Sequence, residues 1–219
     1  FTPTGQGFDE AFGFNNGHWN NYFDPVLLRG SKPEQTKGYI TDVLTDEAMQ
    51  FITANKTEPF FCYLSYNAPH SPYQVPDKYF DKFKAKGFED TLAAFYGMCE
   101  NIDDNVGRLL SHLESLKLAD DTIVLFLTDN VGTAGVKTYN AGMRGGKTSV
   151  HEGGTRVPLF IRWPGKIAAG SQVKPIAGAI DLNPTLHALA GVKRVGGGAS
   201  KEQFFFSLTS GEKTDQYLL

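Results

Sequence analysis

The sequence predicts an α/β fold, a mostly parallel sheet flanked by helices, on three observations. Ile123-Val124-Leu125-Phe126-Leu127 is apolar at every position, the pattern of a central parallel strand covered on both faces. Two further runs, Phe60-Phe61-Cys62-Tyr63-Leu64-Ser65-Tyr66 and Leu159-Phe160-Ile161-Arg162-Trp163, have the length and aromatic or β-branched content of buried strands. Between them lie helical periods, and strands that alternate with helices are the signature of layered α/β units.

Taken in order, residues 1–37 are rich in Gly, Asn, Pro and aromatics without a sustained period, so they read as a long irregular segment. Residues 38–191 are the expected α/β core. Thr41 is placed to cap a helix whose Val43, Leu44, Ala48, Phe51 and Ile52 share one face. After the turn at 55–59 comes the Phe60–Tyr66 run, then a short exposed helix over 77–87 that mixes aromatics with lysines. From Thr91, the residues Leu92, Phe95, Cys99, Ile102, Val106, Leu109, Leu113 and Leu116 recur at three- and four-residue steps, which predicts a core-facing helix of about six or seven turns. Asp103 and Asp104 point about 100° apart on such a helix, to its outer faces. Asp120-Asp121 turns the chain into the central strand, and Pro164-Gly165 stops the third one. Asp181 is placed to cap a last helix with Pro184 in its first turn and Gly191 beyond its end. Residues 192–219 read as a flexible tail, with Phe204-Phe205-Phe206 as an edge strand. A single domain over 1–219 is the expectation.

Bulk properties exclude some functions. At 219 residues and 41% hydrophobic content the chain can bury a substantial core. Its net charge of −3 supplies no basic field for nucleic acid, and no apolar run reaches the roughly 18 residues that span a bilayer. The two cysteines, Cys62 and Cys99, sit in apolar patterns and read as buried thiols rather than a bridge.

The chemistry is concentrated where strands end. In open α/β sheets ligands bind at the carboxyl ends of strands, and there the central strand runs into Thr128-Asp129-Asn130. A carboxylate beside a carboxamide oxygen is a hard donor pair suited to Ca²⁺ or Mg²⁺. The same pair, taken alone, is equally the chemistry of a turn. Lys147, at the end of the glycine-rich loop, offers a point charge to an anion held at that metal. His70 follows the Phe60–Tyr66 run between two prolines, where an imidazole can serve an ester oxygen or simply cap the turn. Arg144, His151 and His18 are weaker candidates for contact with substrate, and Arg156 is expected to pair with a carboxylate that locks the return loop.

Thr128-Asp129-Asn130, Met143-Arg144-Gly145-Gly146-Lys147 and Glu152-Gly153-Gly154-Thr155-Arg156-Val157-Pro158 together resemble the type I sulfatases of the alkaline phosphatase superfamily. Ala68-Pro69-His70-Ser71-Pro72, Asn101-Ile102-Asp103-Asp104-Asn105-Val106-Gly107 and Asp181-Leu182-Asn183-Pro184-Thr185-Leu186 are similar to the same family, in the same order, as are Gly7-Phe8-Asp9-Glu10 and Phe12-Gly13-Phe14. The resemblance implies a sulfatase-like sheet flanked by helices, and a sulfuric ester hydrolase acting on a small-molecule or glycan sulfate. In it Asp129 and Asn130 would ligate the metal, generally Ca²⁺, and Lys147 would hold the sulfate. His70 would bind the sulfate or assist departure of the leaving oxygen, with Arg144, His151 and His18 nearby.

It also implies a formylglycine nucleophile made from a Cys/Ser-x-Pro/Ala-x-Arg motif. Neither Cys62-Tyr63-Leu64-Ser65-Tyr66 nor Cys99-Glu100-Asn101-Ile102-Asp103 fits that motif. The expectation is therefore a partial sulfatase catalytic domain, incomplete at its N-terminus and without the smaller C-terminal subdomain, inactive when isolated. Its open sheet edge would be covered by a preceding segment or by self-association. Sulfatases usually carry Gly directly after the Asp-Asn pair, whereas Val131 stands there in this chain. Two other readings are a phosphoryl-transfer relative and a non-catalytic module that binds sulfated ligands. Kinship points to a periplasmic, lysosomal or secreted setting.

Overall fold

The computed structural model describes residues 2–16, 19–191, 205–210 and 213–218. It divides into two compact units, residues 1–119 with 126–160 and residues 120–125 with 161–219.

The first unit opens with a three-stranded antiparallel sheet of β1 (Phe12–Gly13), β2 (Val26–Arg29) and β3 (Lys32–Gln35). This corrects the expectation of an irregular segment over 1–37. Arg29 pairs with Lys32, so Gly30-Ser31 is a two-residue hairpin turn, with Gly30 at φ 62°, a conformation that favours glycine. Leu27 is fully buried, while Val26 beside it is exposed. One face of β2 therefore enters the core. Arg29 bonds Glu34 at 2.8 Å, also reaches Glu47, and lies 4.5 Å over the Phe12 ring, so it closes the sheet against helix α1.

Helix α1 (Ile40–Ala54) starts one residue before the expected cap, after extended Tyr39. Thr41 lies inside the first turn, fully buried, and its carbonyl accepts from Thr45 Oγ1 at 2.8 Å. Ile40, Leu44, Ala48 and Ile52 form the buried stripe, as a four-residue repeat on a 3.6-residue helix must. Helix α2 (Asp77–Lys84) buries only Tyr79. Helix α3 (Asp90–Ser115) runs for 26 residues and is capped by Glu89, whose carboxylate accepts from the Thr91 and Leu92 amides. Its carboxylate pair faces outward as expected, and Asp104 accepts from the Tyr79 hydroxyl at 2.7 Å.

Tyr22, Leu27, Tyr39, Ile40, Leu44, Ala68, Val75, Tyr79, Ala94 and Met98 form one core. Gly97 lets α2 approach α3: a Cβ there would stand 3.2 Å from Tyr79 Cβ and 3.1 Å from Val75 Cγ1. We expect Gly97→Leu to cost roughly 1–3 kcal/mol by overpacking, read as a lower unfolding midpoint in urea, whereas a neutral result would mean that the helices separate freely.

The Phe60–Tyr66 run is not a strand. Its residues alternate between half-buried and exposed, with Phe61 60% and Tyr63 71% accessible, yet it forms no ladder among the described residues. The alternation belongs to an extended segment, but a strand also needs a neighbour. Strands β4 (Val124–Leu127) and β5 (Leu159–Arg162) do pair, as a two-stranded sheet. Neither is the fully buried strand that its composition predicts, since Leu127 is 39% and Phe160 64% exposed.

In the second unit, helix α4 (Ala179–Leu189) begins two residues before Asp181, so Asp181 is inside the helix. Its buried carboxylate accepts from the Gly178 amide at 2.7 Å, and this reach back to the residue before the helix still performs capping chemistry. Pro184 lies in the helix interior rather than its first turn. Where a flexible tail with an edge strand at Phe204–Phe206 was expected, β6 (Phe205–Ser210) and β7 (Lys213–Leu218) pair antiparallel; residues 192–204, Phe204 included, lie outside the described residues. No described helix is long and apolar enough to cross a membrane.

Candidate active site

His70 sits on a turn between two prolines, and its backbone amide donates to the Asn67 carbonyl at 3.0 Å. The ring Nδ1 lies 2.7 Å from the Ser71 carbonyl oxygen. A carbonyl only accepts, so Nδ1 carries the proton. In the neutral ring Nε2 keeps its lone pair, and in the charged ring Nε2 is a second donor. The residue is exposed.

The Asp129-Asn130 pair follows β4 directly, with Asp129 exposed and Asn130 half-buried. Asn130 Nδ2 donates to Asp129 Oδ2, which leaves Asp129 Oδ1 and the Asn130 side-chain oxygen as acceptors. Those oxygens are of the hard kind that Ca²⁺ prefers, though they cover only part of the roughly six to eight it takes. Among the described residues no cluster of three or more His, Cys, Asp or Glu completes a cation site. Val131 does not take a positive φ, so the β-branched residue after the pair is unstrained there.

The loop beyond is packed on α3. A Cβ on Gly135 would fall 2.7 Å from the Phe95 ring, so this loop lies flat on that side chain. Phe95 is buried and meets Tyr73 edge-on, with ring centroids 6.0 Å apart. The Tyr73 hydroxyl lies 2.9 Å from Thr133 Oγ1. Turn 67–74, which carries His70, is thus tied directly to the loop that follows Asn130.

Arg144, Lys147 and His151 share a second, tightly folded loop. The Gly153 amide donates to the Arg144 carbonyl at 2.8 Å, and Asn140 Nδ2 donates to the Gly145 carbonyl at 2.8 Å. A Cβ on Gly153 would stand 2.6 Å from Arg144 O, and one on Gly154 only 2.2 Å from Ser149 O. Only glycines fit those two positions. Arg156 pairs with Glu152 at 2.6 Å, the expected lock of the return loop. Arg144 and His151 are exposed, whereas Lys147 is half-buried and takes part in no ion pair among the described residues. The next residue, Thr148, holds φ 73°, a costly conformation for a β-branched side chain and of the kind that gathers at functional loops. His18 lies outside the described residues.

Both cysteines are unbridged. Burial raises the Cys62 thiol and pushes that of Cys99 up to about 11, which suppresses the thiolate and disfavours either as a nucleophile. Neither belongs to a motif for formylglycine, so no residue of this chain fits that group.

The sequence model of the sulfatases, described as "Sulfatase", matches residues 1–192. The chain belongs to the sulfatase family. It is 36% identical over 188 residues to the uncharacterized sulfatase YdeN of Escherichia coli K12, covering 84% of this chain and 33% of that protein. With the N-acetylgalactosamine-6-sulfatase of Mus musculus it shares 31% identity over 217 residues, covering 88% of this chain and 40% of that one. Among solved structures, Ps i-CgsB in complex with k-i-k-neocarrahexaose superimposes with a TM-score of 0.82 at 35% identity, covering 88% of this chain and 48% of that one. The chain therefore spans about a third to a half of the length of these relatives, and its fold is that of the sulfatases.

What sequence reasoning missed are the residues that hold the site: Tyr22, Gln74, Tyr73 and Thr133. A tyrosine or glutamine in an aromatic-rich stretch carries no signal of such a role.

Proposed function

We propose that this chain supplies the sulfate-handling half of a sulfuric ester hydrolase whose substrate is a sulfated sugar. The Tyr73–Thr133 bond carries the reading, because it ties the turn bearing His70 to the loop that begins with Asp129 and Asn130. In this reading Asp129 and Asn130 hold Ca²⁺ through their free oxygens. When bound, the ion supplies a Lewis acid for the non-bridging sulfate oxygens. Lys147 places an ammonium against the same oxygens. The leaving oxygen needs a proton when an acceptor takes the sulfuryl group, and His70 Nε2 is the general acid this chain offers it.

The residues present do not fit a formylglycine, so no step is assigned to one. The sugar reading draws on the similar protein named as an N-acetylgalactosamine-6-sulfatase and on the oligosaccharide complex of Ps i-CgsB. It is tested by incubating the full-length protein with an aryl sulfate and a sulfated oligosaccharide, with and without a calcium chelator, and measuring released sulfate. Chelator-sensitive release is expected, reduced on the order of 10²-fold or more by His70→Gln. Preference for a phosphate monoester, or affinity for the sulfated sugar without turnover, would overturn the reading in favour of a phosphoryl-transfer enzyme or a binding module.

A further inference from the structure

We propose that Tyr22 is a positioning residue for His70, its buried hydroxyl setting the peptide that aims the imidazole. The assignment rests on the sulfatase reading of His70 for its catalytic consequence, but its geometry stands independently. Tyr22 is fully buried, and its hydroxyl donates to the His70 carbonyl at 2.6 Å, with the Asn67 carbonyl at 3.3 Å. Burial, with Tyr73 close by, raises the phenol well above its ordinary value, so it remains a donor throughout the working pH range. The ring itself cannot drift, being stacked on Tyr39 with centroids 5.8 Å apart.

Two adjacent carbonyls then fix the histidine. The one of His70 is held from below by Tyr22, and the one of Ser71 accepts from the ring Nδ1 at 2.7 Å. Moving the first peptide rotates the second, and with it the direction of Nε2. The rest of the turn is stitched to the same segment. Gln74 accepts from the Tyr22 amide at 3.1 Å and donates to Asn20 O at 3.3 Å, Asn67 donates to Trp19 O at 3.3 Å, and the Tyr39 hydroxyl donates to Gln74 O at 2.8 Å. Of these bonds, only those from the Tyr22 hydroxyl reach His70 or the carbonyl that receives its amide. A near-attack geometry tolerates little displacement, so the hydroxyl should act on turnover more than on binding.

The test is Tyr22→Phe in the full-length protein, with Tyr66→Phe as control. Tyr66 has a half-buried ring and, like Tyr22, a bonded hydroxyl, but that hydroxyl lies 2.7 Å from Thr45 Oγ1 of α1 instead of a carbonyl of the His70 turn. Hydrogen exchange read by mass spectrometry should show faster uptake over 67–74 in Tyr22→Phe and unchanged uptake there in Tyr66→Phe. With an aryl sulfate, kcat of Tyr22→Phe should fall on the order of tenfold while KM stays within about twofold. Unchanged uptake over 67–74 overturns the assignment, as does faster uptake with unchanged kcat in an active enzyme. Should the parent protein release no sulfate, faster uptake still supports the anchoring, and the failure falls on the sulfatase reading alone. If Tyr22→Phe does not fold, 3-fluorotyrosine at position 22 keeps the ring and strengthens the donor. Slower uptake over 67–74 is then expected, and no change would overturn the proposal.

Discussion

Replacing Lys147 with alanine in the full-length protein is expected to lower kcat/KM for a sulfate ester by about 10²–10³-fold, the usual effect of removing one donor aimed at developing charge. The expectation comes from three features of its loop. Lys147 is half-buried, so its charge acts in a lower dielectric than on an open surface. It joins no ion pair among the described residues, so the ammonium does not contribute to stability through a partner. The loop also holds Thr148 at φ 73°, a conformation that costs on the order of 1–3 kcal/mol. The melting temperature should accordingly change little in Lys147→Ala, while activity collapses. Lys147→Arg should restore little, since a planar fork does not replace a compact point charge. An alanine variant with parental kcat/KM would remove Lys147 from the site. A melting temperature that fell in step with activity would make its role structural.

Helices α1 and α3 were legible because their apolar residues recur with the helical period, and that period survives whatever packs against it. Strands were harder. The runs that became β4 and β5 announced themselves by composition, but composition reports what a segment is able to bury, not what stands beside it. Phe160 and Leu127 are exposed for that reason. The Phe60–Tyr66 run shows the same limit, with the alternation of a strand and no ladder partner among the described residues. The β1–β3 sheet escaped notice because its strands are short and β3 reads Lys32-Pro33-Glu34-Gln35. Gly30-Ser31, between an apolar and a polar run, is a turn signal that could have marked it.

At the site, the residue types with chemistry of their own were readable: a histidine between prolines, an acid-amide pair at a strand end, a lysine after glycines. The groups that hold them were not. Tyr22 reaches His70 across 48 positions and Tyr73 reaches Thr133 across 60. Contacts at that separation are products of the fold and leave no local period or motif to read.

The largest stability loss is expected at Asp42, on the inner side of α1. One carboxylate oxygen, Asp42 Oδ1, accepts from Asn101 Nδ2 at 2.8 Å and from Asn105 Nδ2 at 2.7 Å. Both asparagines are buried on α3, where unpaired amides are costly. The chain of bonds continues as Arg108 Nη1 donates to Asn105 Oδ1 at 2.8 Å and Arg108 Nη2 pairs with Asp46. Asp42→Ala removes the acceptor and leaves two buried donors behind, a change of about 2–4 kcal/mol once the half-exposure of Asp42 is allowed for. Asp42→Asn should cost less, because its Oδ1 can still accept from both amides, though without the charge. Exposed Asp46 pairs through an equally exposed Arg108, so Asp46→Ala should cost under about 1 kcal/mol. The order Asp42→Ala, then Asp42→Asn, then Asp46→Ala in urea midpoints tests whether the clamp between α1 and α3 is a buried charge-assisted network. Equal midpoints for all three variants would reduce it to surface charge. The loss at Asp42 should also leave the 67–74 turn ordered, because its hydrogen-bonded anchors run through Tyr22, Tyr39 and Gln74 rather than through the asparagines of α3.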